Sequence, residues 1–103
     1  MKIVINFLLR KSRKDDDGKL SVCVRITYLG NRIELATGIY SSTNHWDTSR
    51  QRIKDKVIGA RVDNERLDRI KTEIQDTFNQ LRSTNEDFDV TTIKRKLLNI
   101  QDS

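Results

Sequence analysis

Apolar and polar residues alternate in two neighbouring segments of the chain, a pattern typical of β-strands that are buried on one face only. The first segment, residues 20–28, places its apolar side chains on one face: Leu20, Val22, Val24, Ile26 and Tyr28. Its other face carries Ser21, Cys23, Arg25 and Thr27. The second segment, residues 32–37, continues the alternation, and Leu29-Gly30-Asn31 between them predicts a tight turn because Gly and Asn tolerate positive φ. The pattern therefore predicts a β-hairpin with one apolar face and one polar, cationic face.

A further strand is predicted before this hairpin. Residues 2–10 place Ile3, Ile5, Phe7 and Leu9 on one face, and the other face carries Val4, Asn6, Leu8 and Arg10. Residues 11–18 read as a charged loop that ends in the turn dipeptide Asp17-Gly18. Three strands joined in order by short connections predict an antiparallel meander, because a parallel pair would need a crossover helix.

The hydrophobic period changes from two to about 3.6 near residue 60. Apolar residues then recur at steps of three or four: Leu67, Ile70, Ile74, Phe78 and Leu81. This stripe predicts a helix over about 60–83 that covers the apolar face of the sheet. Asp63 or Asn64 is a candidate cap for this helix, because both side chains are common at helix N-termini.

Two segments complete the predicted domain. Residues 41–59 lack a clear period, and we interpret them as an ordered basic loop that is anchored by Trp46 and runs along the sheet edge. A short helix is predicted over about 91–99, with Asp89, Thr91 or Thr92 as its cap and Ile93, Leu97 and Leu98 as its apolar residues. The expected architecture is a single α+β domain over 1–103: sheet 2–40, loop 41–59, long helix and short helix.

The charge of the chain is unevenly distributed. The net charge is +5, but residues 1–60 carry 12 Lys and Arg against 6 Asp and Glu, whereas residues 61–103 carry 8 against 9. The sheet half is therefore the cationic half, as expected for a surface that meets phosphate. A basic surface that serves only solubility would show the same balance.

Several function classes are disfavoured by composition. One cysteine and one histidine exclude an internal disulfide and argue against a metal site. No paired acid, base or nucleophile is visible, so we expect neither an enzyme nor a cofactor or small-molecule substrate. No apolar run approaches the 18 or so residues of a membrane span, and we expect a cytoplasmic protein that is nucleoid-associated when bound to DNA.

The polar face of the predicted sheet is the candidate functional surface. Arg can hold guanine bidentately, Asn can hold adenine, and Thr offers a hydroxyl and a methyl group, so the predicted groove contacts are Asn6, Ser21, Arg25, Thr27 and Arg32. The predicted phosphate contacts are Arg10, Lys11, Arg13, Lys14 and Lys19, with Lys54 and Lys56 as further candidates. However, any antiparallel sheet that is packed on one side shows polar residues on the other.

The order of these segments resembles a known family. The segments that carry the resemblance are Phe7-Leu8-Leu9-Arg10, Asp17-Gly18-Lys19, Val24-Arg25-Ile26, Thr37-Gly38-Ile39, Trp46-Asp47 and Asn64-Glu65-Arg66-Leu67. Together they resemble the N-terminal arm-type DNA-binding domain of tyrosine recombinases, the phage-integrase-like proteins of Bacteroides-type mobile elements. The resemblance covers about residues 3–99.

This resemblance implies a three-stranded sheet that inserts into the major groove of accessory arm sites in double-stranded DNA. It also implies that core-binding and catalytic domains belong to a parent integrase, so that this chain would be a non-catalytic part of the machinery for DNA integration and recombination. Other integrase protomers or accessory proteins would be further partners. The alternative from another class is a protein–protein interaction module that docks on a recombinase or an accessory factor.

Overall fold

A three-stranded antiparallel sheet and two helices form the body of the domain. The computed structural model describes residues 2–14, 16–84 and 87–101. The sheet has the order β1-β2-β3, with β1 at Val4–Lys14, β2 at Leu20–Tyr28 and β3 at Asn31–Ser41. A small hairpin pairs β4 (Trp46–Asp47) with β5 (Arg52–Ile53). The helices are α1 (Ala60–Ser83) and α2 (Val90–Gln101). The predicted α+β class and the antiparallel meander are confirmed.

The register of the sheet places apolar positions of all three strands on one face. Val24 of β2 lies between Phe7 of β1 and Leu35 of β3. On the opposite face, Arg25 lies between Asn6 and Glu34. Because side chains alternate with a period of two along a strand, these pairings separate a core face from a polar face along the sheet.

The turn between β2 and β3 has only two residues. Leu29 and Gly30 adopt φ values of 53° and 80°, and Asn31 is already the first residue of β3. The expectation that Asn31 belongs to the turn is therefore wrong. Positive φ at both central positions matches the right-handed twist of the flanking strands, and it pairs Tyr28 directly with Asn31.

Two strands are longer than predicted. β1 continues to Lys14 through an irregularity between Arg10 and Lys14, where a loop was expected. β3 continues past Gly38 through a bulge, in which the Thr37 hydroxyl donates to the Val22 carbonyl oxygen at 2.7 Å and accepts a hydrogen bond from the Ile39 N–H group at 3.1 Å. Gly38 has a φ of 80°, which a side chain would disfavour.

Helix α1 covers the apolar face of the sheet, and its predicted bounds are confirmed. Leu67, Ile74 and Phe78 are buried in a common core with the inward residues of β1 and β2. The predicted caps are wrong, however. Gly59, with a φ of 84°, occupies the N-cap position without a side-chain hydrogen bond, and Asp63 lies within the first turn.

Asn64 has a structural role that differs from capping. Its side chain is buried, where it accepts a hydrogen bond from the Ile53 N–H group at 2.9 Å and donates one to the Ile53 carbonyl oxygen at 3.0 Å. On the other side of the loop, Gln51 accepts from the Phe7 N–H group at 2.9 Å and donates to Asn6 Oδ1 at 3.0 Å. Residues 41–59 are thus fastened both to α1 and to the β1 edge, and Trp46 is buried among them.

Helix α2 is capped by Asp89, which accepts a hydrogen bond from the Thr92 N–H group at 3.0 Å. Ile93 and Leu97 are buried, whereas Leu98, the third apolar residue of the predicted helix, is 41 % exposed. Before the helix, Phe88 stacks on Tyr28 of β2 at a centroid distance of 5.1 Å and packs edge-on against Phe78 of α1 at 5.7 Å. These three aromatic rings join the sheet to both helices.

We expect the Asn64→Ala variant to be destabilised by roughly 1–3 kcal/mol, because the Ile53 backbone groups would lose buried hydrogen-bond partners. Urea unfolding followed by circular dichroism measures the change. Gln75→Ala is the matched control, since Gln75 is exposed on the same helix. A loss no larger than that of the control would contradict the proposed anchoring role.

The cap of α2 predicts a pH dependence of stability. The pKa of Asp89 is held below its ordinary value of 3.8, chiefly because the carboxylate accepts the Thr92 backbone hydrogen bond. A depressed pKa in the folded state stabilises the fold above the ordinary pKa, and this contribution is lost as pH falls through the folded-state value. Asn caps a helix about as well as Asp without titrating, so Asp89→Asn should retain stability at neutral pH. Thermal unfolding of both proteins should show the shallower acid loss in the variant; parallel profiles would refute the assignment.

Candidate nucleic-acid interface

An ion-pair cluster occupies the centre of the polar sheet face. Arg25 donates to Glu34 Oε1 through Nε at 3.1 Å and through Nη2 at 2.8 Å. Arg10 Nη1 lies 3.5 Å from the other carboxylate oxygen. Arg32 lines the same shallow recess, so residues from all three strands form a single group, the arginine cluster: Arg10, Arg25, Arg32 and Glu34.

The arginine cluster is cationic at neutral pH. The hydrogen bond from Arg25, followed by the charges of Arg25, Arg10 and Arg32, outweighs the opposing effect of burial and lowers the pKa of Glu34 below its ordinary value of 4.5. Glu34 is therefore ionised at neutral pH, and one carboxylate faces three guanidinium groups. The remaining positive charge lies on a surface that retains solvent access, since the Arg25 and Arg10 side chains are 32 % and 40 % exposed.

Other predicted groove residues surround the arginine cluster. Thr27 is half-buried and lies between Val4 and Arg32 in the strand register. Asn6 is also half-buried, and its side-chain oxygen accepts a hydrogen bond from the Gln51 amide group at 3.0 Å. The exposed Val4 contributes an apolar group to this face, and an apolar group in a DNA groove can contact the methyl group of thymine.

Ser21 and Cys23 lie on the polar face by register but are covered. Ser21 is 2 % exposed and Cys23 is 1 % exposed, and Ser21 Oγ lies 3.8 Å from Cys23 Sγ. Neither side chain is presented at the surface. We therefore leave Ser21 out of the interface proposed below, although it was among the predicted contacts.

The predicted phosphate contacts fall into separate positions around the sheet. Lys11 and Lys14 are exposed on the second half of β1. Lys19 and Lys56 come together beside His45, although they are distant in sequence. Lys54 is half-buried, and the side chain of Arg13 lies outside the part of the structure that is described.

Two residues of the site were not among the predicted DNA contacts, although the alternation of β3 already places Glu34 on the polar face. Glu34 could have been found from the hairpin, because a two-residue turn that pairs Tyr28 with Asn31 also pairs Arg25 with Glu34. Gln51 carries no comparable signal, since the Asn6 side chain it contacts lies 45 residues away in sequence.

A second basic groove lies between β3 and α1. It has a volume of about 690 Å³ and is lined by Ala36, Thr37, Gly38, Arg66, Arg69, Ile70 and Glu73. Because α1 covers the apolar face of the sheet, this groove opens on the helix side of β3 and is separate from the arginine cluster.

Within the described residues, no group of three or more His, Cys, Asp or Glu side chains is arranged to hold a metal ion. The helices that are described also include none that is both long and apolar enough to cross a membrane.

Comparison with known proteins identifies the family. A family model described as an arm DNA-binding domain matches residues 7–94, which span most of the sheet, the loop, α1 and the first five residues of α2. No curated protein and no solved structure matched the chain. The family match covers most of the chain, and it agrees with the three-stranded sheet and its cationic polar face. The chain therefore belongs to the family of arm DNA-binding domains, which are DNA-binding rather than catalytic modules.

Proposed function

We propose that this domain reads accessory arm sites by placing the polar face of its sheet in the major groove of double-stranded DNA. In this role it tethers a tyrosine recombinase of a mobile element to its DNA during integration and recombination. The observation that carries the proposal is the arginine cluster, which gathers guanidinium groups from all three strands on the face opposite the helices.

The dimensions of the sheet suit this binding mode. Neighbouring strands lie about 4.8 Å apart, so the outer strands of a three-stranded sheet are about 10 Å apart. The major groove of B-DNA is about 12 Å wide and admits a small sheet as well as a helix. Both helices pack on the other face, and they therefore leave the polar face free to approach the groove.

We assign the base contacts to Arg25 and Arg32, with Thr27 and Asn6 beside them. Arginine holds O6 and N7 of guanine with two parallel N–H groups, which is the commonest specific contact in the major groove. Arg25 lies on the central strand, between Asn6 and Glu34, and Arg32 lies beside Thr27 on the neighbouring row. The closeness of these positions in the strand register supports assigning the base contacts to them as one group.

We assign the phosphate contacts to the cations at the rim. Lys11, Lys14, Lys19 and Lys56 are exposed and lie at or beyond the β1–β2 end of the sheet. Arg10 at the edge of the arginine cluster is a further candidate, as are Arg13 and Lys54. Phosphate contacts of this kind set the register of a protein on the duplex and carry no sequence information of their own.

The biological setting is part of the same proposal. A parent integrase supplies the recombinase chemistry, and other protomers or accessory proteins share the assembly on DNA. A Bacteroides-type element follows from the sequence resemblance, and a cytoplasmic, nucleoid-associated location follows from the composition of the chain and its expected binding to DNA. Support for this setting comes from the family match, because arm DNA-binding domains are associated with integrases.

Selection of bound duplexes from a random DNA pool tests base reading directly. We expect the purified domain to enrich a motif of several base pairs. Enrichment of no motif, with salt-sensitive binding retained, would reduce the domain to a non-specific tether. No retained DNA even at low salt would refute the proposal and favour the protein-interaction module.

Arg25→Ala should weaken binding to the selected duplex by roughly 1–3 kcal/mol and relax base preference at one position, if Arg25 reads a base. Fluorescence anisotropy on the selected and a scrambled duplex measures both effects. Arg69→Ala removes the same charge from the exposed surface of α1 and is the matched control. An equal loss on both duplexes would instead assign Arg25 to a phosphate.

The salt dependence of binding should be steep. About five cationic groups at phosphates give a slope of roughly −4 to −5 for the logarithm of the binding constant against that of salt concentration. Titration at several salt concentrations measures the slope. A slope near zero would contradict the phosphate contacts and point to docking on an apolar protein surface.

A further inference from the structure

We propose that Glu34 is a positioning residue that sets the base specificity of this domain by holding the Arg25 guanidinium in one orientation. This inference rests on the proposed function, because it requires that the polar sheet face meets DNA. Glu34 would raise the ratio of specific to non-specific affinity, while its charge lowers the affinity for random DNA.

The hydrogen-bond geometry supports the positioning role. Both bonds from Arg25 end on the same carboxylate oxygen, Glu34 Oε1, and they use the Nε and Nη2 groups on one edge of the guanidinium. A guanidinium has five N–H groups in one plane, and these bonds use two of them. Among the described residues, Nη1 of Arg25 has no hydrogen-bond partner, so this end of the plane is available for a guanine edge.

The carboxylate is itself held in place from the other strand. Arg10 Nη1 lies 3.5 Å from Glu34 Oε2, so the two oxygens contact different arginines. Glu34 also lies directly opposite Arg25 in the β2–β3 register. Arginine loses less entropy on binding when its plane is already fixed, because the ordering has taken place in the free protein.

The negative charge has a second consequence. A carboxylate on a surface that faces DNA repels phosphate at every sequence, and it is tolerated only where its contacts to neighbouring cations are kept. Glu34 therefore lowers non-specific affinity, whereas the oriented Arg25 raises affinity for the correct base. Because this repulsion acts equally on every sequence, only the orientation of Arg25 raises the ratio of specific to non-specific affinity.

The test compares Glu34→Gln with the wild-type domain on the selected duplex and on a random duplex at one salt concentration. Glutamine has nearly the same shape, but it removes the charge that holds both arginines. We expect tighter binding to the random duplex by roughly two- to fivefold, because one repulsive charge is removed. The ratio of specific to non-specific affinity should fall by about tenfold, which is the range of one lost bidentate base contact. Asp76→Asn is the matched control, because it removes one exposed carboxylate from α1.

Two further variants separate positioning from other roles. Glu34→Asp keeps the charge but shortens the side chain, so it should lower the affinity ratio without tightening binding to random DNA. In an Arg25→Ala background, Glu34→Gln should no longer change the ratio. A change that persists there would mean that Glu34 accepts a hydrogen bond from a base itself, and it would overturn the positioning role.

The remaining outcomes are equally distinct. An unchanged ratio in Glu34→Gln, with both affinities raised equally, would reduce Glu34 to simple repulsion and overturn the inference. A lower melting temperature with an unchanged ratio would make the pair merely structural, with the same result. If the wild-type domain selects a motif, these outcomes refute the inference alone; if it selects none, the proposed function fails as well.

Discussion

The register between β2 and β3 is the constraint on which the rest of the molecule depends. Side chains alternate with a period of two along a strand, so a slip of one residue would move every side chain of β3 to the opposite face. The two-residue turn at Leu29–Gly30 prevents this slip, because it pairs Tyr28 with Asn31 and is too short to allow another register. As a result, one choice of turn places apolar residues towards the helices and also places Glu34 opposite Arg25.

This arrangement separates the stability of the domain from its function. The helices α1 and α2 and the aromatic rings of Tyr28, Phe78 and Phe88 cover one face of the sheet. Among the residues that the structure describes, no helix or aromatic ring covers the opposite face around the arginine cluster, so its charged groups can keep enough solvent to remain ionised. Gln51 connects the loop at residues 41–59 to the edge of the sheet at β1. It accepts a hydrogen bond from the Phe7 N–H group and donates one to the Asn6 side chain.

The sequence predicted the elements that follow from periodicity, because alternation and helical spacing are local properties. The strands, the bounds of α1 and the division into two faces belong to this group. Contacts between distant residues were missed. Asn64 was interpreted as a cap because its residue type is common at helix starts, whereas its partner is the Ile53 backbone, 11 residues away. The bulge at Thr37–Ile39 was also missed, since it depends on a hydrogen bond to β2.

The candidate site shows the same division between local and distant information. Composition and charge pointed to a cationic sheet face, but they do not distinguish a cation that contacts a base from one that is held in an ion pair within the protein. Arg25 illustrates the difference, since its charge is visible in the sequence while its orientation comes from a residue on the next strand. Affinity for DNA follows largely from how many cations lie on a surface, whereas specificity requires that a few of them point in one direction. A carboxylate among the arginines lowers the affinity for DNA in general. Its presence at the centre of the face is therefore best explained by specificity.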